Sequence, residues 1–577
     1  MIQIKAAPRI AGLSSGSLMS AAPPSGPRSP DDSLAAVAFP RLSPEQIRKV
    51  VDSPGARLKQ PRAGEKLFEA GDRAFAFFIV ESGEIAILDE SGDTPKTIAI
   101  HGPGQFTGDV AHLTGSAPLV SAVARVDSRV YEISTEGLRE IILRCPELAD
   151  VILQAFIARR QLLRESGDFV GLRLIGSRYS RDTARIRDFL SANRVPFTWL
   201  DLESDPAVTQ LLQRFGLSQA DTPVVAYAHK LLLRNPSNRE LAEVIGIRRP
   251  PEPAVYDLVV VGAGPAGLAA AVYAASEGLR TLVLERAAPG GQAARSMRIE
   301  NYLGFPAGLT GGEFAERAVL QASRFGAILS VSVTVTELTF DTVYPRLRFD
   351  DGDTVSSRCL LIASGADYRQ LDIDECERFD GCGVYYAATY SEAKICAGQD
   401  VVIVGGGNSA GQAAVFLAQH ARRVFLVIRG DSLHEKMSSY LARRIEATPN
   451  IEVMLHTNVR RMFGSRSLTA VELVDSETGE IRRIESPALF SFIGAVPRTD
   501  WLSKAIETDA WGFIRTGPAL TGDPSVDRRR DAFLLETSRR GVFAAGDVRA
   551  GSVKRVASAV GEGAMAIHFV HEYRKYV

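Results

Sequence analysis

The sequence predicts a multidomain chain, all-β near its start and α/β from about residue 171 onward. Three observations predict it. Short strands punctuated by glycine about every ten residues fill residues 40–165. A compact alternation of strands and helices fills residues 171–247. Two glycine-rich turns, each between a β-branched strand and a helix, lie in the remainder. A length of 577 residues allows three or more cores of ordinary size.

Residues 1–39 are expected to form a disordered tail, being rich at first in Ser, Pro, Gly and Ala. Serines interrupt the apolar stretch there, which argues against a secretory signal. Gly64, Gly71, Gly83, Gly92, Gly104 and Gly108 space the next strands as in a small barrel or roll. Helices follow over Ser134 to Arg164, with Leu138, Ile141, Ile142 and Leu148 as the apolar face. Residues 171–247 read as β-α-β-α-β-β-α, with strands at 171–175, 197–202, 223–227 and 230–234 and helices at 180–193, 206–215 and 237–245. Arg248-Arg249-Pro250-Pro251-Glu252-Pro253 is a stiff linker.

Residues 254–577 carry the chemistry-bearing motifs. Tyr256 to Val261 leads into Gly262-Ala263-Gly264-Pro265-Ala266-Gly267, which opens a helix expected over Leu268 to Glu277. Asp400 to Val404 leads into Gly405-Gly406-Gly407-Asn408-Ser409-Ala410, which opens a helix expected over Gly411 to His420. Strand, tight glycine turn and helix N-terminus form the geometry that holds a pyrophosphate. Two such turns predict two dinucleotides in one protein, held so that a hydride passes between them. Glu285 ends the strand after the first helix, 18 residues past Gly267. A carboxylate there accepts ribose hydroxyls and repels a 2′-phosphate, which favours FAD. The matching strand of the second turn ends at Arg429. A cation there welcomes a 2′-phosphate, which favours NADPH.

Composition excludes other classes. Lys plus Arg is 67 and Asp plus Glu is 68, so no electrostatic case for nucleic acid arises. Five cysteines, none in a Cys-x-x-Cys pair, suit a reducing cytosol and provide neither a disulfide scaffold nor a zinc site. The most apolar stretch, Val255 to Ala275, approaches membrane-span length, but Asp257, three glycines and Pro265 lie in it. A buried strand plus a packed helix is the expected structure.

Residues 255–577 resemble the low-molecular-weight thioredoxin reductases of the pyridine nucleotide–disulfide oxidoreductase superfamily. Besides the two turns, the resemblance is carried by Gly290-Gly291-Gln292, Ile299-Glu300-Asn301-Tyr302-Leu303-Gly304-Phe305-Pro306, Ile362-Ala363-Ser364-Gly365, Phe492-Ile493-Gly494, Gly541 to Val548 and Lys554-Arg555-Val556-Ala557. It implies an FAD domain (254–368 and 496–577), an inserted NADPH domain (369–495) that rotates, and a homodimer. It places FAD on Gly262, Gly264, Pro265, Ala266, Gly267, Glu285, Gly291, Gln292, Asn301, Gly546, Asp547, Arg555, Val556 and Ala557. NADPH falls to Gly405, Gly407, Asn408, Ser409, Ala410 and Arg429. The family's Cys-Ala-Thr-Cys motif aligns with Ala387-Ala388-Thr389-Tyr390, so Ala387 and Tyr390 stand at the two cysteine positions. Ile428, Gly430 and His434 replace other members of the family's basic cluster around Arg429.

Residues 171–247 resemble glutaredoxin-like thioredoxin folds, with Asp221-Thr222-Pro223-Val224 at the cis-proline turn and Ser180-Arg181-Asp182-Thr183 where the cysteines belong. Without a thiolate that module cannot exchange disulfides. Residues 40–165 resemble cyclic-nucleotide-binding domains, through Phe78 to Gly83 and Phe106 to Leu113. That resemblance implies Asp109 for the ribose and a cation for the phosphate. Pro118 stands at the cation's position, and Arg125 is a substitute candidate. No helix-turn-helix motif follows.

The reading is a cytosolic FAD-dependent NAD(P)H oxidoreductase of thioredoxin reductase type. Hydride is expected to pass from NADPH to the flavin. The acceptor is expected to be ferredoxin, flavodoxin, a quinone, dioxygen or a thioredoxin-like protein, under the influence of an N-terminal sensor. Two alternatives stand beside it: a thioredoxin-disulfide reductase using Cys376 and Cys382, and a flavin-based redox sensor.

Overall fold

The computed structural model describes residues 30–576 except 54, 91–93, 166–170, 205–207, 209–211, 213–215, 228–230, 253, 297, 374, 381, 387, 389, 466, 503–504 and 521–530. The chain divides into two compact units, Met1–Arg248 and Arg249–Val577.

Within the first unit, seven short strands among the described residues build two small antiparallel sheets. One has the order Arg57–Lys59, Arg129–Ile133, Phe77–Ser82; the other runs Lys66–Phe68, Ser121–Ala124, Ile85–Asp89, Lys96–His101. Alternation along these strands points Phe68, Phe78, Val80, Ile85, Ile87, Ala122 and Val130 into one core. A one-turn helix, Ala111–Thr114, sits in the loop between Lys96–His101 and Ser121–Ala124. Helices Thr135–Arg144 and Pro146–Glu165 follow, the first capped by Ser134, whose hydroxyl accepts from Gly137 N. Part of the expected tail is ordered: Pro30–Ala38 is a helix, and Ala38 is fully buried. Composition concealed it, because the stretch is short and begins at a proline, the residue best suited to the first helical position.

A four-stranded sheet completes this unit, ordered Leu231–Arg234, Val224–Tyr227, Leu172–Gly176, Thr198–Asp201. Leu172–Gly176 pairs parallel with Thr198–Asp201 and antiparallel with Val224–Tyr227. Helices Arg181–Ala192 and Asn238–Val244 flank it, each N-capped by a serine. The Thr222–Pro223 bond is cis. The helix expected at 206–215 lies mostly outside the described residues; Val208 and Leu212 are buried.

The second unit is organised around two sheets, the smaller wholly parallel and the larger parallel except where Arg346–Phe349 pairs antiparallel with both its neighbours. The larger has the order Ile328–Val331, Thr281–Glu285, Tyr256–Val261, Thr354–Ile362, Arg346–Phe349, Val335–Thr339, with Val542–Ala544 added beside Thr354–Ile362. The other runs Val384–Tyr385, Leu489–Ser491, Asp400–Val404, Arg423–Val427, Ile451–Met454. The larger sheet thus takes strands from both sides of the smaller one in sequence. The central strands are covered on both faces, which explains why they read as unbroken Val and Leu runs. The stretch once near membrane-span length divides into strand Tyr256–Val261 and helix Pro265–Ser276. Among the described residues no helix is long and apolar enough to cross a membrane. Both fingerprint helices begin three residues earlier than expected, at Pro265 and Asn408, because the glycines Gly264 and Gly407 are themselves the N-caps.

Candidate functional site

The first glycine loop leaves the sheet at Val261. Gly262 has φ +106°, and a Cβ there would lie 2.3 Å from the Ala363 carbonyl oxygen. Gly267 turns back onto the strand, where a Cβ would meet the Gly262 oxygen at 1.9 Å. These two positions fix the turn against its own strand. Gly264 serves differently. Its backbone is extended, at φ −72° and ψ −177°, and a Cβ there meets no protein atom within 4 Å. Open space at the N-terminus of a 12-residue helix suits a phosphate, since unpaired N–H groups and the helix dipole both face it.

Three other segments close on this loop. Glu285 Oε2 accepts from Ala263 N at 2.8 Å, and Oε1 from Ala287 N at 2.8 Å. Burial pushes its carboxyl above the usual range, partly offset by these bonds. Gly290 N donates to Ala263 O at 2.7 Å, and Gly291 lies close against Gly264. Gly546 packs on Ala266, with only 3.0 Å between a Cβ there and the Ala266 Cβ. Gly546 N donates to Glu562 at 2.7 Å, and Arg549 holds that glutamate at 2.6 Å. Asp547 follows, half-buried, with no hydrogen bond among the described residues; burial raises its pKa. An unsatisfied carboxylate beside an open helix N-terminus fits a ligand that brings hydroxyl donors and a pyrophosphate. The residues present therefore fit FAD. Arg555, Val556 and Ala557 open the helix Val556–Arg574, whose Gly563 packs on the backbone of Ala266. Gln292 donates to Ala366 O. Asn301 is exposed and makes no contact with the glycine loop among the described interactions.

The second loop repeats the plan. Gly405, at φ +143°, leaves 2.5 Å between a Cβ and the Phe492 oxygen, whereas Gly407, the N-cap, faces open space. Ser409 is accessible, and Ala410 is fully buried beneath the turn as a packing residue. The Asn408 side-chain oxygen accepts from Ser438 N at 2.7 Å, tying the turn to helix Ser439–Glu446. Arg429 is exposed just past strand Arg423–Val427, with no ion pair among the described residues. His434 pairs with Glu446 at 2.8 Å instead of joining Arg429. An uncommitted cation at this strand end fits the 2′-phosphate of NADPH.

A cleft of 430 Å³ lies between segment 292–313, which follows the first loop, and the helix opened by the second loop. Gln292, Arg295 and Glu300 line it from one side, and Tyr386, Ser409 and Gln412 from the other. Arg444 Nη1 reaches Glu300 at 3.1 Å across the cleft, an ion pair between the two sheets' segments. Sequence reading missed Tyr386, Gln412 and Arg444, because no spacing rule connects helices 30 residues apart to a loop 100 residues earlier. Tyr386 alone carried a signal, as the neighbour of Ala387.

No thiol is presented to the cleft by the described residues that line it. Cys376 is buried, its Sγ 3.8 Å from Tyr386 Oη. Cys382 is half-buried, in a turn where Cys382 N donates to Phe379 O at 2.9 Å. Burial pushes the Cys359 and Cys396 thiols up to about 12. Ala387 lies outside the described residues, and Tyr390 begins helix Tyr390–Ile395. In the first unit, Arg125, the substitute candidate for the phosphate's cation, pairs with Glu84 at 3.0 Å, and Asp109 pairs with Arg160 at 3.1 Å.

Residues 256–563 match the pyridine nucleotide-disulphide oxidoreductase family, and residues 58–145 match the cyclic nucleotide-binding domain. Thioredoxin reductase of Treponema pallidum is 36% identical over 318 residues, which are 55% of this chain and 97% of that protein. Thioredoxin reductase of Bacillus subtilis is 32% identical over 56% of this chain and 96% of that protein. The structure of Lactococcus lactis thioredoxin reductase is similar with TM-score 0.50 and 28% identity, covering 56% of this chain and 100% of that one.

Proposed function

This chain belongs to the pyridine nucleotide-disulphide oxidoreductase family, and on that premise we propose that it delivers electrons from NADPH to an acceptor without a dithiol relay. It is an FAD-dependent pyridine nucleotide oxidoreductase of thioredoxin reductase type, and its cofactors are FAD and NADPH. Bound FAD supplies two-electron chemistry that accepts from NADPH and passes electrons on singly or in pairs.

The chain's own residues divide the remaining work. The Gly262–Gly267 turn, Gly291 and Gly546 hold the FAD pyrophosphate. Glu285 takes the ribose and Asp547 the ribityl hydroxyls. Gln292, Asn301 and the Arg555-Val556-Ala557 helix start border the ring. The Gly405–Ala410 turn holds NADPH, with Arg429 on its 2′-phosphate. The Glu300–Arg444 pair holds the inserted domain in one orientation, and its release lets that domain rotate. The observation that carries the absence of a relay is chemical: the sequence has no Cys-x-x-Cys, and the thiols nearest the cleft are buried behind Tyr386 or folded into a turn. The acceptor is then a ferredoxin, flavodoxin, quinone or dioxygen, reached at the cleft.

A second reading keeps disulfide reduction. Cys376 touches Tyr386, which lines the cleft, so one side-chain rotation separates that thiol from it. We further assign the chain to the cytosol, as a homodimer. The β-roll acts as a regulatory domain, and the sheet around Leu172–Gly176 is a thioredoxin-like module without its cysteines. A screen of these acceptors for NADPH oxidation by the holoenzyme tests the reading. Dye reduction with no turnover on any acceptor would instead favour a redox sensor.

Arg429 gives the nucleotide choice a direct test. Replacing it by Ala removes a charge-assisted phosphate contact worth about 1.5–3 kcal/mol. The KM for NADPH is expected to rise roughly tenfold to hundredfold, with that for NADH little changed. Steady-state kinetics with both nucleotides checks this, and equal shifts would contradict the assignment.

A further inference from the structure

The β-roll offers the loop Phe106–Pro118 as the place where a ligand would enter, and every polar group expected to receive one is already taken. Asp109 Oδ1 accepts from Ala111 N at 2.9 Å, and Oδ2 pairs with Arg160 at 3.1 Å, the two side chains being 17% and 9% exposed. Pro118 O accepts from Gly71 N at 2.9 Å and also from the hydroxyl of Tyr227 at 3.0 Å, which uses both lone pairs. Tyr227 belongs to the four-stranded sheet, 109 residues further along the chain. It is 5% exposed, and its ring packs on Gly71, with Cε1 3.5 Å from where a Cβ would stand.

A second contact joins the same two parts. Ala117 N donates to Ile245 O at 3.1 Å, and Gly246 lies so close that a Cβ there would be 2.8 Å from Ala117 N. From behind, the loop is gripped by Arg159, whose guanidinium donates to Gly108 O at 2.6 Å, Phe106 O at 3.0 Å and Ala38 O at 2.7 Å. Arg139 donates to Leu113 O at 3.0 Å. A cyclic phosphate entering here would meet a proline carbonyl and a tyrosine ring, and Arg160 is held by Asp109. Moving Tyr227 aside would take one of two hydrogen bonds from Pro118 O and expose a ring that is 5% exposed in place, and both cost free energy.

We propose that the Phe106–Pro118 loop is a docking socket whose occupant is Tyr227 of the same chain, seated where a cyclic nucleotide would otherwise lie. The socket joins the roll to the four-stranded module as one body. The roll's binding chemistry is spent on holding that module, not on sensing a nucleotide.

The full-length protein tests this with calorimetry and hydrogen exchange. Wild type is expected to give no binding heat with cyclic AMP or cyclic GMP up to about 1 mM, and slow exchange at Gly71 and Ala117. Tyr227→Ala should speed exchange across 106–118 by at least about tenfold, and p-cresol, the side chain's analogue, should restore the protection in this variant but change nothing in wild type. Tyr227→Phe, which keeps the ring and deletes one hydrogen bond, should show a smaller increase and so guards against a variant that simply unfolds. Nucleotide binding that appears only in Tyr227→Ala also supports the socket. Micromolar binding of either nucleotide to wild type, or exchange in both variants equal to wild type, overturns it.

Discussion

Gly264→Val is expected to give a folded, colourless protein. Valine adopts the extended backbone of this position without strain, since φ is −72° and ψ −177°. Its side chain enters space that no protein atom occupies within 4 Å of the Cβ. The fold therefore has no reason to object, and the loss falls on the ligand, whose pyrophosphate claims that space. FAD affinity should drop by on the order of a hundredfold or more, each tenfold being about 1.4 kcal/mol. Gly267→Ala is the informative contrast. There a Cβ would meet the Gly262 oxygen at 1.9 Å, so the strand–helix junction itself must shift. Absorbance at the flavin band, divided by protein concentration, separates the two, with a melting curve as the fold check. A yellow Gly264→Val protein with one FAD per chain would remove the first glycine loop from the cofactor site.

The contrast shows what was legible in the chain. Both glycine turns could be read, because the residues that make a tight strand–turn–helix are contiguous and their chemistry is local. The places of Glu285 and Arg429 were legible for the same reason: Glu285 ends strand Thr281–Glu285, and Arg429 lies just past strand Arg423–Val427. Partnerships made by the fold across long separations were not. The Glu300–Arg444 pair joins residues 144 apart, and the Tyr227–Pro118 bond joins residues 109 apart. The bond from Ser438 N to the Asn408 side-chain oxygen, between residues 30 apart, was likewise not legible. Arg125, the substitute cation offered for a phosphate, pairs with Glu84, and the pairing of Asp109 with Arg160 could not be seen without the fold.

The cleft geometry bears on turnover as well as binding. Glu300 and Arg444 are 32% and 48% exposed at the side chain, so their attraction is screened and modest. A pair of that strength restrains a domain without locking it, which is what an enzyme needs if its two dinucleotides must approach and separate in each cycle.

The largest expected loss concerns disulfide reduction. Reducing a thioredoxin requires a thiolate that attacks and a second thiol that resolves the mixed disulfide. Cys359 and Cys396 are excluded by burial, which holds their thiols at about 12 and so almost wholly protonated at neutral pH. Cys145 lies in the first unit, between helices Thr135–Arg144 and Pro146–Glu165. That leaves Cys376 and Cys382. Cys376 is 2% exposed and faces Tyr386, and Cys382 sits in a turn, with no disulfide between them. Six residues apart, they also lack the spacing that presents two thiols at one helix start. NADPH-dependent reduction of thioredoxin should therefore be lower than reduction of a one-electron dye by about a thousandfold or more, a barrier difference of roughly 4 kcal/mol. The double variant Cys376→Ala, Cys382→Ala should retain the wild-type rate with the dye. Parallel assays with 5-thio-2-nitrobenzoate release for thioredoxin and dye bleaching for direct transfer measure both. Thioredoxin reduction at ordinary enzyme rates that vanishes in the double variant would make these two cysteines the relay, and Tyr386 the side chain that must move to expose them.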